Sequence, residues 1–350
     1  MSAANRRPQE RTSENILVTG GAGYIGSHTA KALALNHDRP IVLDDLSTGH
    51  AHNVKWGPLV RASLSDTALV RSVLKEYKIE SVVHFAGSAL LAESVARPLS
   101  YFQNNVGGTL SLLEAMLDAG VKDIVFSSSC ATYGLPLSVP ITEDQPQKPI
   151  NPYGDSKLVI ERVLEWVGRA RQVRWVALRY FNAAGADPDG ELGEEHEHET
   201  HLIPLAIGAA LGHRKHLQIF GTDYPTPDGT AIRDYIHVTD LASAHICALQ
   251  YLHCGEQSRA FNVGTGSGAS VLEVIAKVGL VGGQAVPTVA APRRTGDPPV
   301  LVASPENARR LLQWQPSHSS LETIIRTAWR WHSDSRHHAD PQGSISRVSS

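Results

Sequence analysis

Short apolar runs alternate with longer amphipathic stretches along the first half of the chain. The runs have the length of buried parallel strands and lie at residues 15–20, 40–45, 59–60, 81–85, 123–126 and 174–178. Helical periodicity fills the segments between them, first through Ala30 and Leu33 and then at residues 66–77, 100–119 and 153–170. This alternation predicts an α/β fold of the Rossmann type, a doubly wound parallel sheet with helices on both faces.

The pattern changes after Asn182. Residues 186–201 have little periodicity, strands are predicted at 231–238 and 260–264, and helices at 201–211, 240–252, 271–278 and 319–331. We expect an NAD-binding Rossmann domain over residues 15–186, with returning segments at about 231–266. Residues 187–230 and 267–332 are predicted to form a smaller C-terminal α/β substrate domain. The polar segments 1–14 and 333–350 are expected to be disordered tails.

Composition excludes several classes of function. The 350 residues are 42% hydrophobic and 19% charged, which is typical of a globular protein, and the net charge is −3. Nothing in this balance favours a nucleic acid or a membrane surface as a partner. No apolar run approaches the roughly 18 residues of a membrane span, and residues 1–14 lack the apolar core of a signal peptide. The three cysteines show no metal or disulfide spacing. We therefore expect a cytoplasmic protein.

A glycine motif follows the first predicted strand at once. Gly20, Gly23 and Gly26 stand between that strand and a helix, the context in which such a motif binds a dinucleotide. Gly20 allows a tight turn, Gly23 lets the backbone approach a pyrophosphate, and Gly26 lets helix and strand pack closely. The spacing is G-x-x-G-x-x-G rather than the commoner G-x-G-x-x-G.

Several candidate binding residues stand where predicted strands end. Asp44 ends the second strand, where a carboxylate binds the ribose hydroxyls and repels a 2′-phosphate, so NAD is favoured over NADP. Ala86, Ser129 and Tyr180 lie at or beyond the ends of later strands. The carboxyl ends of parallel strands meet at one edge, so these residues should line one crevice.

Tyr153 and Lys157 lie four residues apart at a predicted helix start, with Pro152 at the first helical position. Residues i and i+4 share one helix face. A nearby ammonium lowers the pKa of a phenol from its usual value of about 10. The pair is therefore predicted to act as a base near neutral pH, although such a spacing alone arises by chance in many helices.

The segment 194–201 is rich in glutamate and histidine, residue types that bind metals. No predicted helix or strand fixes this segment. We therefore expect a solvated loop and no metal site.

The chain resembles the extended short-chain dehydrogenase/reductase family, and within it the sugar-nucleotide 4-epimerases. The matching motifs span residues 15 to 331 in the family's order, at 18–28, 84–87, 104–106, 126–129, 152–157, 178–182, 219–221, 233–237, 261–264 and 292–297. The glycine motif and the Tyr153–Lys157 pair mark the broad family. The motifs at 179–182, 233–237 and 293–297 are more specific to the 4-epimerases.

The resemblance implies interconversion of UDP-glucose and UDP-galactose with NAD as cofactor. Tyr153 is expected to take the proton of the sugar 4-hydroxyl while NAD takes the C4 hydride, giving a 4-keto sugar and bound NADH. The ketone turns over and is reduced from its other face. Ser129 would bind the sugar oxygen, and Lys157 would lower the pKa of Tyr153 and hold the nicotinamide ribose.

The resemblance also implies binding residues and a homodimer. The residues expected to contact NAD are Gly20, Gly23, Tyr24, Ile25, Gly26, Asp44, Phe85, Ala86, Asn104, Tyr153, Lys157 and Tyr180. Those expected to contact the UDP-sugar are Ser129, Tyr153, Asn182, His201, Leu202, Phe220, Arg233, Arg294, Asp297 and Leu301. Arginines suit a pyrophosphate because guanidinium donors match its oxygens in pairs.

Three positions depart from the family's pattern. Ser63 stands where many members have an aspartate near the adenine, and Ala89 where many have a lysine. Both changes predict a weaker hold on NAD. Leu301 stands where a bulky tyrosine excludes N-acetyl groups in some members, which predicts activity on N-acetylhexosamine nucleotides.

Other functions compete with this interpretation. A 4-epimerase of another UDP-sugar, carrying an N-acetylhexosamine, a pentose or a uronic acid, stays open. A 4,6-dehydratase needs an acid and a base after the serine, where this chain has Cys130 and Ala131. A non-enzymatic NAD-binding sensor is disfavoured because such proteins usually lose the Tyr153–Lys157 pair.

Overall fold

The computed structural model describes residues 13–294 and 296–334, so most of both predicted tails lies outside the described residues. The strands are β1 Asn15–Thr19, β2 Arg39–Asp44, β3 Leu59–Arg61, β4 Ser81–His84, β5 Asp123–Ser129, β6 Arg174–Tyr180, β7 Asn182–Ala184, β8 Leu217–Phe220, β9 Ile232–Arg233, β10 Tyr235–His237, β11 Arg259–Val263, β12 Ala269–Ser270, β13 Thr288–Ala291 and β14 Val300–Leu301. The helices are α1 Tyr24–Leu35, α2 Thr67–Glu76, α3 Leu91–Ala96, α4 Pro98–Tyr101, α5 Gly108–Ala119, α6 Pro152–Arg171, α7 Leu202–Ala210, α8 Val238–His253, α9 Val271–Gly282, α10 Glu306–Leu311 and α11 Leu321–Ser333.

A seven-stranded parallel sheet organises the fold in the order β3-β2-β1-β4-β5-β6-β11. Alternate side chains of each strand point to opposite faces. In β1, Leu17 joins the core beneath α2, α5 and α6, while Ile16 and Val18 join the core beneath α1 and α8. Strands buried on both faces are rich in apolar residues, as the run Ile16-Leu17-Val18 of β1 illustrates. The predicted doubly wound parallel sheet is confirmed.

The segment after β4 is more irregular than the single helix predicted at 100–119. It contains α3 and α4, then a π-helical segment, Phe102–Gly107, and only then α5. The Asn105 amide lies in the π-helical segment, where it accepts from the Ser88 backbone N–H (2.8 Å) and donates to the Ser88 carbonyl and the Ser156 hydroxyl (3.0 Å each). These bonds hold the segment against the chain that leaves β4.

The strand predicted at 231–238 is broken at Asp234. β9 pairs with β12 and β14, while β10 pairs with β7. The buried Asp234 carboxylate accepts hydrogen bonds from the backbone N–H groups of Thr265, Gly266 and Ala303. The backbone of Asp234 is also paired, since its N–H donates to the Leu301 carbonyl and its carbonyl accepts from the Asn182 N–H. The short strands β7, β8, β12, β13 and β14 were not predicted from the sequence.

Helices α7, α9 and α11 form a third apolar cluster with their own core, separate from the two cores of the large sheet. Ile207, Val278 and Ile325 are fully buried there. Within residues 13–294 and 296–334, no helix combines the length and apolar character needed to cross a membrane.

An ion pair is buried behind the sheet between α6 and β6. Glu161 accepts from the Nε and Nη2 atoms of Arg179 at 3.0 and 2.6 Å, and from the hydroxyl of Ser128 at 2.5 Å. The two charged side chains are only 6% and 7% exposed. A buried charge that loses its partner is costly, because water cannot replace the missing interaction.

Glu161→Gln should therefore lower the free energy of unfolding by about 3–5 kcal/mol. Its matched control is Glu165→Gln, one turn later on α6. There the pair with Arg169 is 49% and 64% exposed, and the expected loss is about 0–1 kcal/mol. Urea unfolding of the three proteins, followed by circular dichroism, measures both changes. Equal losses in the two variants would contradict the prediction.

Candidate active site

The glycine turn lies at the carboxyl edge of the sheet, where three backbone segments approach closely. Gly20 has φ +70°, and a Cβ atom there would lie 2.6 Å from the Ala86 nitrogen. A Cβ atom on Gly26 would lie 2.3 Å from the Gly20 carbonyl oxygen. Both positions therefore require glycine.

The turn leaves the amino end of α1 accessible. Gly23 is the N-cap of α1 and has no side chain to cover the first N–H groups of the helix. Tyr24, Ile25 and Gly26 supply the first helical residues, and a Cβ on Gly23 would meet only the Gly20 oxygen, at 3.4 Å. Uncapped N–H groups and the helix dipole suit a phosphate group. These residues fit the pyrophosphate of a dinucleotide.

Asp44 lies at the end of β2 and holds the glycine turn. One carboxylate oxygen accepts from the Ala22 N–H at 3.0 Å and the other from the Leu46 N–H at 2.9 Å. Burial raises the pKa of this carboxyl, while the two backbone bonds lower it. Each oxygen has a further lone pair, so the carboxylate can still accept from ribose hydroxyls. Ser63 is exposed at the end of β3, where its hydroxyl lies 2.9 Å from that of Ser65.

Aromatic rings line the next part of the edge. The Phe85 ring, after β4, lies 4.6 Å from the His245 ring of α8 in a tilted arrangement, and the Tyr180 ring lies 6.4 Å from the same imidazole. Tyr180 and Ser127 share a hydrogen bond between their hydroxyl groups. Across the crevice the Asn104 amide donates to the Ser88 hydroxyl at 3.0 Å.

His245 was missed by the sequence analysis. It is fully buried, its Nδ1 lies 2.8 Å from the Leu241 carbonyl oxygen, and its Nε2 has no hydrogen-bond partner among the described residues. Burial lowers its pKa to about 4, so the ring is neutral at pH 7. The helical period of α8 predicts only that residue 245 is buried. No signal in the sequence indicates that His245 contacts Phe85.

Helix α6 positions the catalytic candidates as the sequence predicted. Asn151 caps it by accepting from the Gly154 N–H at 2.8 Å, and Pro152 occupies the first turn. Tyr153 and Lys157 are both buried, and the Lys157 nitrogen lies 5.8 Å from the centre of the Tyr153 ring. Tyr153 also hydrogen-bonds Ser129, at the end of β5. The structure therefore brings all three candidates together.

The pKa expected for Tyr153 is wrong for this structure. Burial raises the pKa of Tyr153 to about 12, and the hydrogen bond with Ser129 only partly offsets this rise. The Lys157 ammonium is directed elsewhere, since it donates to the Ser127 carbonyl oxygen at 2.8 Å. Burial lowers the pKa of Lys157 to about 8. Desolvation therefore outweighs the attraction that the i, i+4 spacing implies, and the phenol keeps its proton at pH 7.

The residues predicted to bind the sugar nucleotide form two pairs in the smaller part of the fold. Arg233 is paired with Asp297. The Arg294 guanidinium lies 4.1 Å from the centre of the Phe220 ring. Leu301 neighbours Arg233 across the β9–β14 ladder. The arginines thus have partners, and each guanidinium still has N–H donors to offer.

The remaining predicted residues lie at the starts of elements. Asn182 begins β7, and its N–H donates to the Asp234 carbonyl at 3.1 Å. Leu202 begins α7, with His201 at the N-cap position. Burial alone would lower the pKa of His201, but the carboxylates of Glu194 and Glu199 raise it to about 10.

The segment 186–201 is anchored in its first part, while residues 195–201, most of the predicted solvated loop, are exposed or half-buried. Leu192 is fully buried and the Glu194 side chain is only 4% exposed. Lys31 of α1 binds Asp187 at 2.8 Å and Glu191 at 2.6 Å. The first part of the segment is therefore fixed against α1 by burial and ion pairs, which local sequence periodicity does not reveal.

Comparison with known proteins shows the family of the chain. A family model described as the NAD dependent epimerase/dehydratase family matches residues 16–264. A UDP-glucose 4-epimerase of Lacticaseibacillus casei is 50% identical over 91% of this chain and 96% of its own length. A similar solved structure is the UDP-glucose 4-epimerase from Brucella ovis in complex with NAD, with 50% sequence identity and a TM-score of 0.90. The match covers 91% of this chain and 99% of that one.

A further solved structure is similar to the chain at lower identity. It is the UDP-Glc/GlcNAc 4-epimerase of Campylobacter jejuni, which is 42% identical with a TM-score of 0.81. The match covers 91% of this chain and 99% of that one.

Gly26→Ala should weaken NAD⁺ binding by about 10- to 100-fold, because the methyl group forces α1 away from Gly20 at a cost of about 1–3 kcal/mol. Gly107→Ala is the matched control, since a Cβ atom there meets nothing within 4 Å. Calorimetric titration with NAD⁺ measures both variants. Unchanged affinity in Gly26→Ala would show that the turn tolerates the side chain.

Proposed function

The chain belongs to the NAD dependent epimerase/dehydratase family, and from that membership we propose that it interconverts UDP-glucose and UDP-galactose by epimerisation at C4. One observation of the structure carries the proposal: Ser129, Tyr153 and Lys157 lie together at the sheet edge that also holds the glycine turn. The names of relatives about 50% identical to the chain support the same reaction. Fold alone would not decide between activities.

The residues at the sheet edge are suited to holding NAD. The N–H groups at the start of α1 face the place of a pyrophosphate, and Asp44 retains acceptor capacity for a ribose. Phe85 and Tyr180 offer apolar ring surface beside them. When bound, NAD⁺ supplies a reversible hydride acceptor, so the sugar passes through a 4-keto form with no net oxidation.

The protein's own residues handle the proton. Tyr153 takes the proton of the sugar 4-hydroxyl and later returns it, and Ser129 shares a hydrogen bond with the phenol and steadies the oxygen. At a pKa of about 12 the phenol is a weak base. Positive charge from the nicotinamide ring of bound NAD⁺ would lower that pKa, in addition to the charge of Lys157.

Product analysis tests the proposed reaction. The purified protein is incubated with UDP-galactose, UDP-N-acetylgalactosamine and UDP-xylose, with and without added NAD⁺, and the sugars are identified. Conversion of UDP-galactose to UDP-glucose is expected. Turnover of another UDP-sugar alone would make the chain a 4-epimerase of that sugar. NAD⁺ binding without any turnover would favour the sensor interpretation.

Tyr153→Phe should lower kcat by about 10²–10⁴-fold, because it removes the group that transfers the proton. Tyr251→Phe deletes a hydroxyl from another buried tyrosine, whose OH donates to the Gln257 carbonyl at 2.9 Å, and should leave kcat unchanged. Steady-state rates at saturating UDP-galactose measure both. If Tyr153→Phe retained full kcat, another group would have to be the base.

Activity on N-acetylated sugar nucleotides is a second candidate. Leu301 is half-buried and packs against the cluster that contains Phe181 and Tyr133. A leucine leaves more room there than a tyrosine. The similarity to a UDP-Glc/GlcNAc 4-epimerase supports this candidate.

Leu301→Tyr should lower kcat/KM for UDP-N-acetylgalactosamine at least tenfold more than for UDP-galactose, because the larger ring fills space needed by the acetyl group. A misfit of even one methylene group in an apolar pocket changes the discrimination between two substrates by about 1–3 kcal/mol. Val300→Ile, at the preceding position of β14, is the control for added volume. No turnover of the N-acetylated substrate by the unsubstituted chain would refute this candidate.

We also propose that the chain acts as a cytoplasmic homodimer, with NAD held by residues 15–186 and about 231–266 and the UDP-sugar by 187–230 and 267–332. Leu91, Val95 and Leu99 expose apolar surface on α3 and α4, which supports a protein partner. Sedimentation equilibrium distinguishes a dimer from a monomer.

A further inference from the structure

Four side chains of metal-ligating type converge in the segment before α7. They are Glu194, His196, Glu199 and His201, and one ligand atom from each lies within 4.8 Å of all the others. His201 Nδ1 lies 2.8 Å from Glu194 and 2.9 Å from Glu199. His196 Nδ1 lies 3.2 Å from Glu199 and 3.4 Å from Glu194. Each imidazole thus presents the same ring nitrogen to both carboxylates.

The two His196 distances approach those of a tetrahedral metal site, and the two shorter His201 distances are those of ion pairs that a metal would widen. Zinc binds imidazole nitrogen and carboxylate oxygen at about 2.0–2.2 Å, so its ligand atoms lie about 3.3–3.6 Å apart. Two nitrogen and two oxygen ligands suit zinc better than magnesium or calcium, which prefer oxygen alone. Two carboxylates also neutralise a divalent ion.

A second acidic cluster in the same segment behaves differently. Asp187, Asp189 and Glu191 surround the Lys31 ammonium at 2.8, 3.1 and 2.6 Å. That lysine already supplies their positive charge. No lysine or arginine among the described residues pairs with Glu194 or Glu199, whose ion-pair partners there are the two histidines.

Burial restrains one side chain of the cluster, and a position at the start of a helix restrains another. Glu194 is 4% exposed, and burial of a carboxylate requires a compensating positive charge. His201 occupies the N-cap position of α7. Glu194 and Glu199 also lie close enough to Tyr24 to act on its phenol electrostatically, and Tyr24 donates to the Gly185 carbonyl at 2.6 Å. The four ligands therefore lie between the glycine turn and the start of α7.

We propose that Glu194, His196, Glu199 and His201 bind one divalent metal ion of the zinc class. The ion ties the segment 194–200 to the start of α7. It holds the His201 ring through Nδ1 and leaves Nε2 free. The site is structural because all four ligand positions are taken by the protein.

Zinc titration of the chelator-treated full chain tests the proposal. We expect one tight zinc site per chain, with affinity reduced by more than about 100-fold in His196→Asn and in Glu199→Gln, since even the loss of an outer-shell partner costs about 10–100-fold. His198→Asn and Glu197→Gln are the matched controls, because both residues are exposed in the same segment and lie outside the cluster. Their affinity should not change.

Calorimetry with metal analysis by mass spectrometry gives affinity and stoichiometry. The chain has 17 histidines, including His337 and His338 beyond the described residues, so weak zinc binding elsewhere is common to all variants and cancels in the comparison. Equal isotherms for His196→Asn and His198→Asn would overturn the proposal. So would the absence of tight binding, which would leave the cluster as histidine–glutamate ion pairs.

Thermal unfolding provides a readout independent of any enzymatic activity. Zinc should raise Tm of the unsubstituted chain and of His198→Asn, and should not raise it in His196→Asn, because a ligand that binds only the folded state stabilises it. Cobalt(II) should give the intense visible absorption of a tetrahedral site. An equal rise in Tm with magnesium would overturn the assignment to the zinc class.

Discussion

The close approach of three backbone segments at the glycine turn is the constraint on which the crevice depends. With a side chain at residue 26, α1 could not begin beside the Gly20 carbonyl, where a Cβ atom would lie 2.3 Å away. Its N-terminal N–H groups would then no longer point over the edge of the sheet. Asp44 reinforces this arrangement by binding the Ala22 N–H. The carboxylate thus shapes the site as well as offering acceptors to it.

Burial sets the chemistry of the catalytic candidates more than their spacing does. The same desolvation raises the pKa of Tyr153 and lowers that of Lys157, so both groups tend towards their neutral forms in the protein alone. The phenol of Tyr153 is therefore protonated in the protein alone, and any positive charge that enters the crevice favours the phenolate. A base that depends on the cofactor in this way would remain protonated until NAD⁺ is in place.

Local pattern was enough to predict the parallel sheet, most of its flanking helices and the start of α6, because these follow from the period of apolar residues and from Pro152. It could not predict the break at Asp234, whose carboxylate binds backbone groups 31 to 69 residues away. The contact of His245 with Phe85 likewise joins segments far apart in the chain. Interactions between residues far apart in the chain have no local period, so the sequence pattern does not carry them.

The segment 186–201 contains two groups of acidic residues, and each group is neutralised by a different kind of positive charge. Its first acids, Asp187 and Glu191, lie within reach of Lys31, a residue of α1 fixed by the sheet. Glu194 lies farther along and is more buried than Glu191, and its partners His196 and His201 come from the same segment. Ion pairs between residues of one segment give that segment little rigidity by themselves, because both partners can move together. A divalent ion would replace several weak pairs by four directed bonds, and would extend the rigidity of α1 to the start of α7.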